Sequence, residues 1–232
     1  MYLFYAPDIA VHPCLPEEEA RHALKTLRLG EGDGLALTDG RGVFYKAVIR
    51  RAGLRQPCEV AIVERWEQPA LWDFYLHIAV APPKNIDRME WFCEKATEIG
   101  INAITCLLTR HSERREINAG RLEKISVSAM KQSHKATLPR LAGMADFRDF
   151  ILQPFDGRKF IAHCEEGEKP LLRETYRRGE NALVLIGPEG DFSPEEIALA
   201  TAQGFEPVSL GKSRLRTETA ALVACHTFHV LN

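Results

Sequence analysis

The sequence has almost no net charge. Lys and Arg total 30 against 32 Asp and Glu, a formal net charge of -2. A dedicated nucleic-acid coat is basic overall, so any RNA contact must use local basic patches or a second copy of the chain. No stretch of 18 apolar residues occurs, and no membrane span is expected. The opening MYLFYAPDIAVHP lacks a basic n-region and is broken by Pro7 and Asp8, so no export signal is expected. The cysteines at 14, 58, 93, 106, 164 and 225 form no C-x-x-C pair. They read as reduced, mostly buried thiols in a cytoplasmic protein. Cys225 and His229 share a helical face but lack a third ligand nearby, so packing rather than metal is expected. No G-x-G-x-x-G follows an early strand, which disfavours a nicotinamide enzyme. Internal repeats and low-complexity tracts are also missing.

What is present is enough apolar material, 45% of 232 residues, for a sizeable core. Residues 1–68 are dense in glycine turns separating short strand-like runs at 35–38, 43–49 and 58–63. TDGRG between the first two marks a hairpin, and PEEEARHALKTLRL before them reads as a short helix. This part reads as a small β-rich module. EQPALW (67–72) is a candidate linker. Beyond it, continuous apolar strands at 74–81, 103–109, 160–165, 181–187 and 207–211 alternate with helices at 86–100, 119–133, 193–204 and 217–231. Unbroken apolar strands separated by helices imply a parallel α/β sheet covered on both faces, over residues 72–232.

The stretch LIGPEGDFSPEEI (185–197) sends a buried strand into a tight turn and then a helix. Ser193 is the expected N-cap, Pro194 the first helical residue and Glu196 the partner in a capping box. Ligands of parallel sheets bind beyond the C-terminal strand ends. Glycines there permit close approach and positive φ. The turn has no lysine, and Glu189 and Asp191 would repel phosphate, so an adenosine edge fits better than a phosphate cradle. A second stretch, LGKSRLRTETAALVA (210–224), carries Lys212, Arg214 and Arg216 at a helix start that Thr217 or Thr219 is positioned to cap. The helix dipole disfavours arginines there unless an anion or partner uses them.

In these two stretches the chain resembles a family of SPOUT-superfamily RNA methyltransferases, the ribosomal RNA small subunit methyltransferase E family. IGPEGDFSPEE and LGKSRLRTETA are similar to two hallmark motifs of that family. Residues 22–49 are similar to its PUA-like β-barrel, and 94–112 and 129–141 to two further segments. Asp191 stands where the family usually has glycine, Ser213 and Arg214 where it has Arg and Ile, and Lys131 and Lys135 where it has Glu and Arg. The resemblance implies residues 1–68 as an RNA-binding PUA-like barrel and 72–232 as a methyltransferase domain whose C-terminal sheet is threaded into a trefoil knot. It implies S-adenosylmethionine as cofactor, 16S ribosomal RNA as substrate with methylation at N3 of a uridine, and a homodimer, with no metal and no membrane.

The cofactor loops it implies are His163, Cys164 and Glu165; Ile186, Gly187, Pro188, Glu189 and Gly190; and Ser209, Leu210, Gly211, Arg214, Leu215 and Thr219. Arg216 is expected to stabilise charge developing on a uracil carbonyl, and Glu218 to act as base or to orient Arg216. Arg21, Lys25, Arg28 and Lys46, beside Phe44 and Tyr45, and Arg110, Arg114, Lys131 and Lys135 are the expected RNA contacts. A non-catalytic RNA-binding protein of the same fold is the second reading, motivated by the departures at 131, 191 and 213.

Overall fold

A computed structural model describes residues 2–53 and 56–232. The chain forms two compact units. The first gathers the chain up to Ala70 together with Val127–Leu138, and the second holds Leu71–Ser126 and Pro139–Asn232.

In the first unit, β1 (Leu3–Tyr5), β2 (Cys14–Leu15), α1 (Glu17–Arg21), β3 (Gly34–Thr38), β4 (Val43–Arg51) and β5 (Cys58–Glu67) follow in order. Among the described residues the strands form one sheet ordered β1-β3-β4-β5-β2. The expected hairpin joins β3 to β4, with Thr38 opposite Phe44. Gly40 (φ 74°) and Gly42 (φ 102°) supply its left-handed turn residues. Leu35, Leu37, Tyr45, Ala47 and Ile49 alternate into a core shared with Phe4, Ile9 and Val60. The expected first helix is shorter than its sequence pattern: after Arg21 it loosens into a π-helical turn over His22–Thr26. β5 runs on through Glu67, where a linker had been expected to begin.

The second unit carries β6 (Leu76–Val80), α2 (Ile86–Ile99), β7 (Ala103–Leu108), β8 (Arg140–Asp146), α4 (Phe147–Ile151), β9 (Arg158–Ala162), α5 (Leu172–Thr175), β10 (Ala182–Ile186), α6 (Pro194–Ala202), β11 (Glu206–Val208) and α7 (Thr217–Leu231). Helix α3 (Ala119–Gln132) begins in this unit. The sheet order is β11-β9-β10-β6-β7-β8, and every ladder in it is parallel. All five residues of β10 are buried. Val184 and Ile186 pack with Phe92 of α2 and Ala221, Ala224 and Phe228 of α7. Leu183 and Leu185 pack on the other face with Phe150 of α4 and Ala200 of α6. Two covered faces explain why β10 is uniformly apolar. Gly100 caps α2 at φ 132°, where a Cβ would fall 2.6 Å from the Trp72 ring. Cys225 and His229 both meet the Gly100 carbonyl, consistent with a packing role.

Three readings of the sequence are corrected. β8, α4 and α5 had not been expected. The strands expected at 160–165 and 207–211 stop at Ala162 and Val208, freeing the residues beyond as loops. The N-cap of α7 is Arg216, and neither Thr217 nor Thr219 is a cap: no side chain closes that helix end. Among the described residues no helix is long and apolar enough to cross a membrane.

His77 of β6 lies mostly inside, sharing a 2.8 Å hydrogen bond with Thr105 Oγ1 and an edge contact with Phe150. Burial, assisted by Arg140, pushes its pKa down to about 4. Below the ordinary histidine value the unfolded chain takes up this proton more readily than the folded one, so stability is lost as pH drops from about 6.5 to about 4. The loss is expected to reach up to about 3 kcal/mol. Denaturant titrations at neutral pH and near the lower end of that window, on the wild type and His77→Gln, check this; equal losses in both proteins would refute it.

Candidate functional site

The register of the parallel ladders builds the site. Ala162 pairs with Ile186 on one side and with Val208 on the other, so β9, β10 and β11 end at one level. The loops that leave these three ends line a single cleft of about 1120 Å³. Its wall takes in residues 162–169, 186–191 and 208–217, with Ala220.

The structure therefore brings together His163, Cys164, Glu165, Ile186, Gly187, Pro188, Glu189, Gly190, Ser209, Leu210, Gly211, Arg214 and Leu215, with Arg216 beside them. Thr219 is not among the lining residues; Thr217 and Ala220 occupy that part of the wall. Glu218 also lies outside the lining. Its side chain is 10% exposed, Oε1 lies 3.7 Å from Arg88 Nε, and Oε2 has no hydrogen-bond partner among the described residues.

The turn after β10 is held from several sides. The capping box forms as expected: Glu196 N–H donates to Ser193 Oγ, and Ser193 N–H donates to Glu196 Oε2. Arg110 N–H donates to the other Glu196 oxygen at 2.8 Å. Glu189 Oε1 accepts from Lys84 N–H. His111 Nδ1 sits 3.0 Å from both the Gly190 and Asp191 carbonyls. The glycines serve by absence of bulk rather than by φ. A Cβ on Gly190 would lie 3.1 Å from His111 Cβ, and one on Gly187 would meet Asp191 Oδ1 at 3.1 Å and Phe192 at 3.2 Å. The left-handed residue is instead Asp191, at φ 59°. The expectation of positive φ at these turn glycines is thus corrected: neither takes it.

The electrostatics separate the walls. Burial lowers the His163 pKa, with Lys169 adding to the effect, which favours the uncharged ring. Both of its nitrogens are shielded from solvent and lack a partner among the described residues. Burial, then the nearby Asp191, raises the Cys164 thiol, which disfavours a nucleophilic thiolate. The cleft wall also carries the exposed Lys212, Arg214 and Arg216, and the uncapped positive end of α7 lies at it. Ile186, Pro188, Val208, Leu210 and Leu215 supply apolar wall. Such a cleft suits a ligand with an apolar, planar part and polar edges.

The expected RNA contacts fall into two groups. Lys25, Arg28 and Lys46 are exposed, and Arg21 is exposed in a pair with Glu17. Arg110 pairs with Glu195, and Arg114 donates to the Pro83 and Lys84 carbonyls. Lys131 is tied to Glu19, and Lys135 is buried. Tyr45, read as a stacking residue, is also buried, near Asp39. Trp66, paired with Phe44 across β4 and β5 with rings 5.7 Å apart and 43% exposed, is the aromatic that the sequence reading missed. The cross-strand register was the signal for it.

The family described as RNA methyltransferase domain matches residues 71–229, and the RNA methyltransferase PUA domain matches residues 15–57. The chain is similar to ribosomal RNA small subunit methyltransferase E of Rickettsia conorii, at 31% identity over 88% of this chain and 83% of that protein. Among solved structures it resembles a "probable rRNA-methyltransferase" from Porphyromonas gingivalis, with 46% identity and a TM-score of 0.94 over 100% of this chain and 98% of the other. It also resembles ribosomal RNA small subunit methyltransferase E from Neisseria gonorrhoeae bound to S-adenosyl methionine, with 27% identity and a TM-score of 0.86 over 100% and 98%.

Gly187→Ala is expected to force the turn aside, because two of the three close approaches are to the backbone and ring of Phe192. Overpacking of this kind costs about 1–3 kcal/mol. A denaturant melt of the purified variant measures it, and an unchanged midpoint would refute the steric role.

Proposed function

The chain belongs to the RNA methyltransferase family that includes the ribosomal RNA small subunit methyltransferase E proteins, and from that premise we propose that it methylates N3 of a uridine in 16S ribosomal RNA, using S-adenosylmethionine bound in the cleft at the ends of β9, β10 and β11. The observation that carries this reading is the level ending of those three strands, which turns three sequence-distant loops into one pocket. The fit of the donor rests on this chain's own groups. Apolar residues at the ends of β10 and β11 and in the loops after them offer a wall for an adenine, and the two unpartnered nitrogens of His163 ask for a polar ligand atom.

When bound, S-adenosylmethionine supplies a methyl group already activated on a sulfonium, so the protein's task is position and electrostatics. Arg216, on the cleft wall, holds the uracil and stabilises negative charge on its carbonyl as N3 loses its proton. Glu218 is a positioning residue. What supports that role over a base is its burial against Arg88, outside the cleft lining. The proton leaves to water at the exposed rim formed by Lys212 and Arg214.

The first unit acts as the RNA-binding module and the second as the catalytic one. Lys25, Arg28 and Lys46 contact phosphate, and the Phe44–Trp66 pair stacks on an unpaired base. The second unit is threaded into a trefoil knot, and the chain works in the cytoplasm as a homodimer. Two copies bring two sets of basic residues to one RNA, which suits a chain with a net charge of only -2.

Mass spectrometry of small-subunit RNA, from cells with and without this protein, is expected to show loss of one N3-methyluridine; an unchanged modification pattern would sink the reading. In methylation of isolated small ribosomal subunits, Arg216→Ala is expected to lower turnover about a hundredfold, with donor affinity by calorimetry held within a few-fold. Glu218→Gln is expected to have a smaller effect. Near wild-type turnover in Arg216→Ala would remove the role assigned to it.

A further inference from the structure

The turn after β10 contains a carboxylate in a position whose backbone favours glycine. Asp191 has φ 59°, a region costly for most side chains but tolerated by aspartate. Its side chain is not left to solvent. Oδ1 accepts the Phe192 N–H at 2.8 Å, and Oδ2 accepts the Cys164 N–H at 2.6 Å. The second bond spans two cleft walls. β9 and β10 are paired as far as Ala162 and Ile186, and the ladder stops there. Cys164 lies two residues further on, in the loop after β9. Asp191 thus takes the place of a backbone acceptor one step beyond the end of the sheet. Gly187 makes this possible, since a Cβ there would approach the same Oδ1 at 3.1 Å. His111 holds the Asp191 carbonyl from the other side at 3.0 Å.

We propose that Asp191 is a positioning residue for the methyl donor: its carboxylate ties the loop at Cys164 to the turn after β10 and fixes the spacing of two cleft walls before the ligand arrives. The inference rests on the reading of the cleft as the donor's site. Hydrogen bonds to a charged acceptor are the stronger kind, and a wall ordered in advance spares the ligand the cost of ordering it. Cys164 N–H, satisfied by the carboxylate, stays fixed beside the His163 ring, whose two nitrogens have no partner among the described residues.

Asp191→Gly is the informative variant, because glycine accepts the left-handed backbone and only the carboxylate is lost. Asp191→Asn keeps the backbone preference and one acceptor oxygen. Two measurements are made: amide hydrogen exchange at Cys164 in the ligand-free protein, and calorimetric affinity for S-adenosylmethionine and S-adenosylhomocysteine. In Asp191→Gly, exchange at Cys164 is expected to quicken at least tenfold while Phe160 and Ile161 in β9 stay protected. The Kd for both ligands is expected to rise about tenfold, with kcat at saturating donor changed less than about threefold. Asp191→Asn is expected to fall between in both readouts. Unchanged exchange at Cys164, or faster exchange with unchanged Kd, overturns the assignment while leaving the cleft as the donor site. A wild-type protein that binds neither ligand overturns the reading of the cleft itself, and the assignment with it.

Discussion

The parallel register across β11, β9 and β10 is the constraint on which the rest depends. Hydrogen bonding between evenly spaced parallel strands aligns Val208, Ala162 and Ile186 at one height. Helices cover both faces of this sheet, so its sides offer no room for polar chemistry. Only the ends are open. There each chain leaves the ladder, and its N–H and C=O groups must find other partners. A slip of one residue in either ladder would stagger the three loops and bury the wrong side chains. The cleft is thus a consequence of sheet geometry before it is a property of any particular side chain in it.

Two helices begin at the lining loops, and their starts are treated in opposite ways. The N-terminus of α6 is closed by its own residues, with Ser193 and Glu196 satisfying each other's backbone and Arg110 engaging the remaining oxygen. That of α7 has no side-chain cap, and Arg216 stands at its N-cap with Lys212 and Arg214 just before it. Positive side chains at the positive end of a helix are mutually unfavourable in isolation. They are retained in a chain whose overall charge is slightly negative. An anionic group entering the cleft from the α7 side relieves this clash. RNA phosphate and a uracil losing its proton both qualify, whereas the α6 side offers no comparable field.

Much of this was legible from the residues alone. Largely apolar runs marked β6, β7 and β10, because strands buried on both faces leave little room for alternation. Ser193 and Glu196 declared a helix start through local chemistry that needs no tertiary context. β8 was not legible: it is an edge strand with half-exposed residues and Gly143, so it lacks the apolar signature. α4 and α5 span 5 and 4 residues, too short for periodicity, and Phe147, Phe150 and Leu172 hold them by packing. The strands expected to reach Glu165 and Gly211 were overextended because His163, Cys164, Ser209 and Leu210 are compatible with a sheet; the ladder's end is set by the neighbouring strand. The fate of Lys131 was hidden for a related reason. Its partner Glu19 is 112 positions away in sequence, and nothing local distinguishes a paired lysine from a solvated one.

The turn between β10 and α6 shows how a loop becomes a rigid wall. Aspartate in the left-handed region carries a strain of about 1 kcal/mol or more. Against it stand the two bonds accepted by the Asp191 carboxylate, the approach of His111 to two carbonyls, and the bond between Asp191 N–H and the Pro188 carbonyl. Each net hydrogen bond contributes about 1 kcal/mol, so together they outweigh the strain. Beyond the Gly190 carbonyl, the glycines contribute to the turn through space rather than through that sum. Gly187 leaves the volume that the carboxylate and the Phe192 ring fill, and Gly190 leaves the volume that lets His111 come close. Positive φ, the usual explanation for glycine in such a turn, is here taken by Asp191 and by neither glycine. Strain and hydrogen bonds meet at Asp191, space is left by Gly187 and Gly190, and His111 holds the carbonyls, so a ligand meets a wall ordered before it arrives.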